Sequence, residues 1–201
     1  MGHQLRDGDV ERNASSDVDP ERMAAAAEAG EHEPNAMCLS TVKGDGVSSR
    51  MVLLKAWDER GFVFYTNLES DKGQQLHTRP RAALNFHWKS VEQQVRVEGR
   101  VEAVSANDAD AYFASRPRGS QLGAWASDQS RPLSDRQELL DRVAALEAQY
   151  GDGPVPRPPH WSGFRVLPSM IEFWLGGSSR LHDRDRYTFD GERWQRSRLF
   201  P

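Results

Sequence analysis

The chain has 201 residues, 37% of them hydrophobic, which is enough for one ordinary domain with a sizeable core. Its formal net charge of −4 argues against a general nucleic-acid-binding protein, because such proteins usually carry a net basic surface. Because no apolar run approaches the roughly 18 residues of a membrane span and no signal-peptide pattern is present, we expect a cytoplasmic protein with no membrane partner.

Residues 1–32 are rich in Asp, Glu, Ser and Ala, so we expect a mobile, acidic N-terminal arm with only a weak helical pattern from Pro20 onward. Residues 33–201 are expected to form a single domain. In it, short apolar runs separated by turn residues predict antiparallel strands. The only cysteine, Cys38, lies in the first strand and is expected to be a buried thiol. The predicted strands are 37–42, 50–56, 62–66, 82–88, the alternating valines of 95–104, 163–167, 170–175, 184–189 and 193–199.

Helices are predicted between the strands from their capping residues. Ser70 is placed to cap a helix that ends before Pro80, and Ser105 one that ends before Pro117. Ser134 begins a capping-box pattern ahead of a helical stripe of leucine and valine. Many short strands with a few inserted helices indicate a mainly β protein, a β-barrel that carries peripheral helices.

The common catalytic sequence motifs are absent. There is no GxSxG, GxGxxG, P-loop or CxxC motif, and no two histidines have the HxH or HxxxH spacing typical of a metal site. This argues against a hydrolase, a dinucleotide-binding protein and a zinc enzyme, and no metal is expected. Instead, cationic and hydroxyl side chains lie near the ends of predicted strands and helices, where they could hold phosphate groups.

Two of these patterns allow both a functional and a structural interpretation. An extended backbone would place Arg180, His182 and Arg184 on one face, either as a row of anion-binding donors or as a solvated, salt-bridged strand. Arg50 and Lys55 flank an apolar segment, so Lys55 either faces a buried anion or extends its ammonium group to solvent. Each pattern alone leaves both interpretations open.

The same is true of two further patterns. Tyr112, Arg116 and Ser120 are spaced four residues apart and could share a helix face, but Pro117 is expected to break that helix. Trp174 offers a flat apolar surface that suits either the core or the wall of a cofactor site.

Taken together, several stretches resemble the pyridoxamine 5′-phosphate oxidase family, in the order and at the spacing found in that family. The resemblance implies an FMN-binding split β-barrel that is homodimeric, with two FMN sites at the subunit interface. The matching stretches are Glu33–Met37, Arg50–Lys55, Phe64–Asn67, Gln94–Arg96, Tyr112–Gln121, Trp125–Ser130, His160–Arg165, Glu172–Trp174 and Arg180–Arg184.

The resemblance also implies roles for individual residues. Arg180 and His182 are the implied catalytic residues, which hold the pyridine ring of the substrate over the flavin. The implied clamp on the substrate phosphate consists of Lys55, Tyr112, Arg116 and Ser120. Implied FMN contacts from one subunit are Arg50, Met51, Val52, Leu53, Tyr65, Thr66, Lys72 and Gln94, and the same FMN-binding segments include Leu54, Lys55 and Asp71. Implied FMN contacts from the partner subunit are Gln129, Ser130, Trp174 and Arg184.

The implied activity is the oxidation of pyridoxine 5′-phosphate and pyridoxamine 5′-phosphate to pyridoxal 5′-phosphate, with molecular oxygen reduced to hydrogen peroxide. Two phosphorylated ligands must then be held with the reacting atoms close together, so most site residues bind and orient. Two alternatives stay open. One is a split-barrel flavin oxidase of another ring substrate, of the phenazine-pathway type, and the other is a non-catalytic protein that binds FMN or pyridoxal phosphate.

The chain departs from the family pattern at three places. Asp71 stands where the family usually has a basic residue, so we expect weaker FMN binding. Leu175 replaces a common glutamine after the tryptophan, at the expected edge of the pocket. The N-terminal arm lacks the usual aromatic residues, so the sequence gives no indication that the arm forms a lid over the site.

Overall fold

The computed structural model describes residues 20–201, in which an antiparallel sheet of nine strands is accompanied by five α-helices. This is the predicted mainly β architecture with peripheral helices. None of the helices in this range is long and apolar enough to cross a membrane. The strands are β1 (Ala36–Lys43), β2 (Gly46–Leu53), β3 (Ala56–Asp58), β4 (Gly61–Asn67), β5 (Arg81–Trp88), β6 (Gln93–Ala103), β7 (Trp161–Leu175), β8 (Asp183–Phe189) and β9 (Trp194–Arg198). The helices are α1 (Pro20–Glu28), α2 (Asp71–Thr78), α3 (Ala106–Ser115), α4 (Arg118–Ala126) and α5 (Arg136–Tyr150).

Strand β7 is the branch point of the sheet. The strand order is β2-β1-β5-β6-β7-β4-β3, and the β8–β9 hairpin also joins β7. One edge of β7 pairs with β6, whereas the other pairs first with β4, through residues 161–166, and then with β8, through residues 170–175. The register with β6 shifts between Glu98 and Gly99, opposite Pro168. The two strands predicted here are therefore one, because the bulge accommodates a proline that has no N–H to donate.

The strand predicted over 50–56 is interrupted after Leu53. The backbone N–H of Leu54 donates to the carbonyl of Asn35, and that of Lys55 donates to the carbonyl of Val63, both at 2.9 Å. The chain thus changes its pairing partner from β1 to β4 at this point. Leu54 is 3% exposed and belongs to the main core.

Side-chain caps begin three of the helices. Ser70 and Ser105 accept hydrogen bonds from backbone N–H groups in the first turns of α2 and α3, as predicted. Helix α5 is capped by Asp135 and not by Ser134, whose hydroxyl bonds to a glutamate side chain instead. Helix α4 was not predicted. It begins directly after Pro117, whose fixed backbone angle suits a helix start but which supplies no side-chain cap.

Helix α1 lies within the segment expected to be a mobile arm. Met23 and Ala26 are buried in the main core, and Arg22 donates a 3.0 Å hydrogen bond to the Gln93 side chain. The arm interpretation is wrong for this helix, because apolar side chains three residues apart give it a face that packs against the domain. Residues 1–19, which the predicted arm also includes, lie outside the described residues.

The core consists of two clusters. The main cluster takes the inward-facing residues of the sheet, such as Met37 and Leu39, both fully buried. Cys38 lies between them and is only half-buried, contrary to expectation, because alternate residues of a strand face opposite sides of the sheet. A second cluster joins Phe113 and Trp161 to residues of α4, α5 and the loop before β7. This second cluster forms one wall of the cleft described below.

Gly61, the first residue of β4, gives a test of the close packing around β7. Its φ is +133°, and a Cβ atom there would lie 2.0 Å from the carbonyl oxygen of Val166. We expect Gly61→Ala to lower the free energy of unfolding by roughly 3 kcal/mol or more, from backbone strain and steric overlap together. Gly44→Ala is the matched control, since Gly44 also has a positive φ but a Cβ there would meet nothing within 4 Å. Urea unfolding followed by circular dichroism measures both, and equal losses would contradict the prediction.

Candidate active site

A cleft of about 490 Å³ opens where the end of β2, strand β4 and helices α2, α3 and α4 meet. It collects side chains from segments that are distant in sequence and contains eleven of the residues singled out in the sequence. The other five lining residues are Asn67, Gly123, Ala124, Ser127 and Trp161, which the sequence patterns did not assign to a site. The eleven are Met51, Val52, Leu53, Lys55, Tyr65, Thr66, Lys72, Tyr112, Arg116, Ser120 and Gln129.

Lys72 is held at one side of the cleft by neutral oxygen atoms. Its ammonium group donates to the Gln129 side chain at 2.9 Å, to the Thr66 hydroxyl at 3.2 Å and to the Ser70 hydroxyl at 3.4 Å. Burial, together with the nearby Arg50 guanidinium, lowers the pKa of the Lys72 ammonium group. Because all three acceptors are neutral, these hydrogen bonds do not neutralise the positive charge of the Lys72 ammonium group.

Arg50 lies just behind this lysine and is also held by neutral groups. Its guanidinium donates to the Thr41 hydroxyl at 2.6 Å, to the Ser48 hydroxyl at 2.9 Å and to the Gln75 side chain at 3.0 Å. Burial lowers its pKa, whereas the exposed carboxylate of Asp71 acts in the opposite direction. Among residues 20–201 no carboxylate forms an ion pair with either Arg50 or Lys72, so an anionic group between them would be stabilised.

Arg116 forms a second cationic position in the cleft. It lies at the break between α3 and α4, and its Nη1 is buried without a hydrogen-bond partner in the described part of the chain. Burial lowers the pKa of its guanidinium group. Pro117 does break the helix, as predicted, but the new helix α4 returns Ser120 to the same cleft as Tyr112.

Stacked aromatic rings form the wall beside Arg116. The ring centroids of Tyr65 and Tyr112 are 4.1 Å apart, and those of Tyr65 and Trp161 are 5.3 Å apart. Burial raises the pKa of the Tyr65 hydroxyl. Trp161 was missed as a site residue. The available signal was its position in the matching stretch His160–Arg165, but a buried tryptophan at a strand start is indistinguishable from a core residue.

A second group of predicted residues lies on adjacent strands, away from the cleft. Gln94 of β6, Trp174 of β7 and Arg184 of β8 are paired in register and so face the same side of the sheet. The His182 ring lies 4.5 Å from the Trp174 ring. None of these four residues lines the cleft.

Glu172 fixes the arginine of this group. It is 2% exposed and accepts hydrogen bonds from Nε and Nη2 of Arg184 at 2.9 and 2.8 Å. Its other oxygen accepts from Arg96 at 3.3 Å, and Arg96 also bonds to the exposed Glu98. The carboxylate of β7 thus links guanidinium groups from the two strands that flank it, β6 and β8.

The predicted extended row from Arg180 to Arg184 is wrong in its first half. Ser179 and Arg180 have φ of 56° and 64°, so the chain makes a 3₁₀ turn there and strand β8 begins only at Asp183. The turn closes through hydrogen bonds, including one from the Gly177 N–H to His182 Nδ1 at 3.1 Å. Arg180 is exposed and does not share a strand face with Arg184.

Three further implied FMN contacts, Gln94, Gln129 and Ser130, have defined positions within the single chain. Gln129, expected from the partner, bonds to Lys72 of its own chain. Gln94, expected alongside Arg50, is instead paired with Trp174. Ser130 has a φ of 72° and is exposed beside Gln129. Leu175, which directly follows Trp174, is the last residue of β7 and is 44% exposed.

The buried Glu172 network gives a stability test. Glu172→Ala leaves two arginines without their shared partner, so we expect a loss of about 3 kcal/mol in the free energy of unfolding. The matched control is Glu98→Ala, which removes only an exposed partner of Arg96 and should change stability by less than about 1 kcal/mol. Chemical denaturation of both variants measures the difference, and similar losses would show that Glu172 is not the anchor of this network.

Two sequence models of protein families match this chain. Residues 23–150 match the family described as pyridoxamine 5′-phosphate oxidase. Residues 161–201 match the pyridoxine 5′-phosphate oxidase C-terminal dimerisation region.

Relatives and solved structures agree with these matches. The pyridoxine/pyridoxamine 5′-phosphate oxidase of Gluconobacter oxydans is 61% identical over 85% of this chain and 86% of its own length. That of Synechocystis is 59% identical over 84% of this chain and 79% of its own length.

Among solved structures, PhzG from Burkholderia lata, in complex with tetrahydrophenazine-1-carboxylic acid, superposes with a TM-score of 0.89 at 32% identity, over 99% of this chain and 98% of that one. An FMN-binding protein of Nostoc punctiforme, related to pyridoxamine 5′-phosphate oxidase, gives a TM-score of 0.72 at 15% identity, over 90% and 97% of the two chains, which supports the fold alone. The fold is thus the predicted split β-barrel, and the chain belongs to the pyridoxamine 5′-phosphate oxidase family.

Proposed function

We propose that this protein is an FMN-dependent oxidase that converts pyridoxine 5′-phosphate and pyridoxamine 5′-phosphate to pyridoxal 5′-phosphate, with molecular oxygen as the electron acceptor. The observation that carries the proposal is a pair of separate cationic positions at one cleft. One is Lys72, with Arg50 behind it, and the other is Arg116 with Lys55; neither forms an ion pair with a carboxylate in the described residues. A cofactor and a substrate that each carry one phosphate require two such positions. Relatives about 60% identical to this chain bear the name of this activity.

The Arg50–Lys72 position fits the phosphate of FMN. Its two cations repel each other when no anion is present, and the surrounding hydroxyl and amide groups can also donate hydrogen bonds to phosphate oxygens. Met51, Val52 and Leu53 supply an apolar strand end and backbone groups beside it. Bound FMN would supply the two-electron acceptor that the amino-acid side chains lack.

Arg116, Lys55, Tyr112 and Ser120 suit the phosphate of the substrate. The guanidinium can bind two phosphate oxygens at once, while the lysine contributes charge and the hydroxyl groups contribute single hydrogen bonds. Lys55 is exposed at the chain crossing between β2 and β3, so its ammonium group can reach a ligand in the cleft. The protein's task at this position is to bind and orient.

Residues Gln94, Trp174 and Arg184, with Arg180 and His182, are proposed to complete the site from the partner subunit of a homodimer. Trp161 and Trp174 are 13 residues apart on β7, about 40 Å along an extended strand at ~3.3 Å per residue. No single side chain bridges that separation, so the two groups of one chain serve different sites. The match of residues 161–201 to a dimerisation region supports the same arrangement.

The net reaction balances with molecular oxygen and, for the amine substrate, one water as the only co-reactants. The alcohol substrate loses two hydrogens from its C4′ carbon and oxygen, and molecular oxygen becomes hydrogen peroxide. With the amine substrate, the C4′ carbon and nitrogen lose two hydrogens, and water then releases ammonia and leaves the aldehyde. Arg180 and His182 are proposed to hold the pyridine ring in place during this oxidation.

A cytoplasmic location is part of the proposal.

The rival activity of the phenazine-pathway type has one structural observation in its favour, the TM-score of 0.89 to PhzG. The identity to that chain is 32%, against 61% to the Gluconobacter oxydans oxidase. A substrate without a phosphate group would also not need the second cationic position around Arg116. The vitamin B6 phosphates are therefore the better supported substrates.

The decisive measurement is oxygen uptake by the FMN-loaded protein. We expect consumption of oxygen with pyridoxamine 5′-phosphate, matched by formation of the aldehyde product in its absorption spectrum, and far slower uptake with unphosphorylated pyridoxamine. Flavin binding without oxygen uptake would indicate a carrier. Preference for a tetrahydrophenazine carboxylate over both B6 phosphates would support the rival activity.

Asp71 gives a second test of the FMN assignment. As an acidic residue in the first turn of α2 it favours the helix, but its charge is unfavourable for a phosphate beside Arg50 and Lys72. We expect Asp71→Arg to tighten FMN binding by roughly tenfold, with a gain that shrinks as salt rises. Titration of FMN into the apoprotein at two ionic strengths measures this.

The control for the Asp71 test is Glu192→Arg, which makes the same change in net charge at an exposed turn between β8 and β9. An equal gain from both variants would indicate a general charge effect. An unchanged FMN affinity in Asp71→Arg alone would mean that Asp71 does not face the cofactor phosphate.

A further inference from the structure

Arg116 is held in the cleft by an aromatic ring and not by an anion. Its guanidinium carbon lies 4.7 Å from the centre of the Trp161 ring and 5.6 Å from that of Phe113. Its Nη1 is buried without a hydrogen-bond partner among residues 20–201, and no carboxylate of these residues forms an ion pair with the guanidinium group. The contact with Trp161 is therefore the closest defined interaction of this guanidinium.

A ring face and a carboxylate hold an arginine with different consequences. The carboxylate of Glu172 occupies Nε and Nη2 of Arg184 and compensates its charge. The face of Trp161 attracts the Arg116 cation through the ring quadrupole, but it occupies none of the N–H groups in the guanidinium plane. An arginine held in this second way is oriented and still able to bind an anion with its full charge.

Trp161 itself is rigidly placed. Its ring is stacked at 5.3 Å on Tyr65 and meets the Phe113 ring edge-on at 5.1 Å. Its backbone N–H donates to the Pro158 carbonyl at 3.0 Å, and its carbonyl accepts from Arg157 at 2.7 Å. Trp161 is 5% exposed, so little freedom is left to the surface on which Arg116 lies.

We propose that Trp161 is a positioning residue for substrate binding, whose indole face holds the Arg116 guanidinium in the cleft and leaves its N–H groups for the substrate phosphate. The inference rests on the proposed function for the identity of the substrate. The role of Trp161 towards an anion at Arg116 can be measured independently of turnover.

The test compares Trp161→Leu with Trp161→Phe in the FMN-loaded protein. Loading with FMN fills the Arg50–Lys72 position, so added inorganic phosphate reports on the Arg116 position. We expect Trp161→Leu to weaken phosphate binding by about tenfold, measured by calorimetric titration, and to raise the KM for pyridoxamine 5′-phosphate similarly with little change in kcat. Trp161→Phe keeps an aromatic face and should restore most of the affinity.

A merely structural role is tested by a matched tryptophan. Trp125 packs against the same second core cluster, but its indole N–H bonds to the Pro156 carbonyl and it does not line the cleft. Trp125→Leu should lower the thermal stability by an amount comparable to Trp161→Leu and leave phosphate affinity and KM unchanged. Equal effects of the two variants on phosphate affinity would overturn the proposal.

A double-mutant cycle with Arg116→Ala gives the sharpest outcome. If Trp161 acts through Arg116, Trp161→Leu should have almost no further effect on KM once Arg116 is removed. Full additivity of the two substitutions would overturn the proposal even if the oxidase activity is present. Conversely, phosphate binding that depends on Trp161 in a protein without oxidase activity would overturn the proposed function and leave the role of Trp161 standing.

Discussion

The hydrogen bonding of strand β7 on both of its edges is the constraint on which the rest of the structure depends. Its partners are β6 on one side and β4 followed by β8 on the other. A strand that pairs with three partners must be long, and β7 has 15 residues. Trp161 is its first residue and Trp174 its last but one. The wall of the cleft and the Gln94–Trp174–Arg184 group are thus built into a single element whose length keeps them apart within one chain.

The distribution of charge follows from how each cation is held. Arg184 is fixed by the buried carboxylate of Glu172, so its position is secure and its charge is compensated. Arg50 and Lys72 are held by neutral oxygen atoms, and Arg116 lies on an aromatic face. The cleft therefore retains positive charge at a cost in desolvation, as the lowered pKa values of these three groups indicate. Bound anions would offset that cost.

Most strands could be predicted from the sequence, because in a sheet with one face on the core apolar and polar residues alternate along each strand. Helix α4 could not be predicted, because it begins after Pro117 without a side-chain cap. The turn at Ser179 and Arg180 could not be predicted either, because neither of these two residues with a left-handed backbone is a glycine. The site was predicted largely through family resemblance, because residues such as Lys55 and Arg116 are ambiguous singly. Trp161 was missed because it packs as a core residue while also holding a charged one.

The hydrogen bond from the Gly177 N–H to His182 Nδ1 determines the tautomer of that ring. A nitrogen that accepts a hydrogen bond carries no proton, so the neutral imidazole bears its proton on Nε2. The free side of the His182 ring is consequently a hydrogen-bond donor and has no lone pair with which to abstract a proton. A histidine in this tautomer can donate a hydrogen bond from Nε2 to an oxygen atom of a bound ring, as the role proposed for His182 requires, but it cannot accept a proton there.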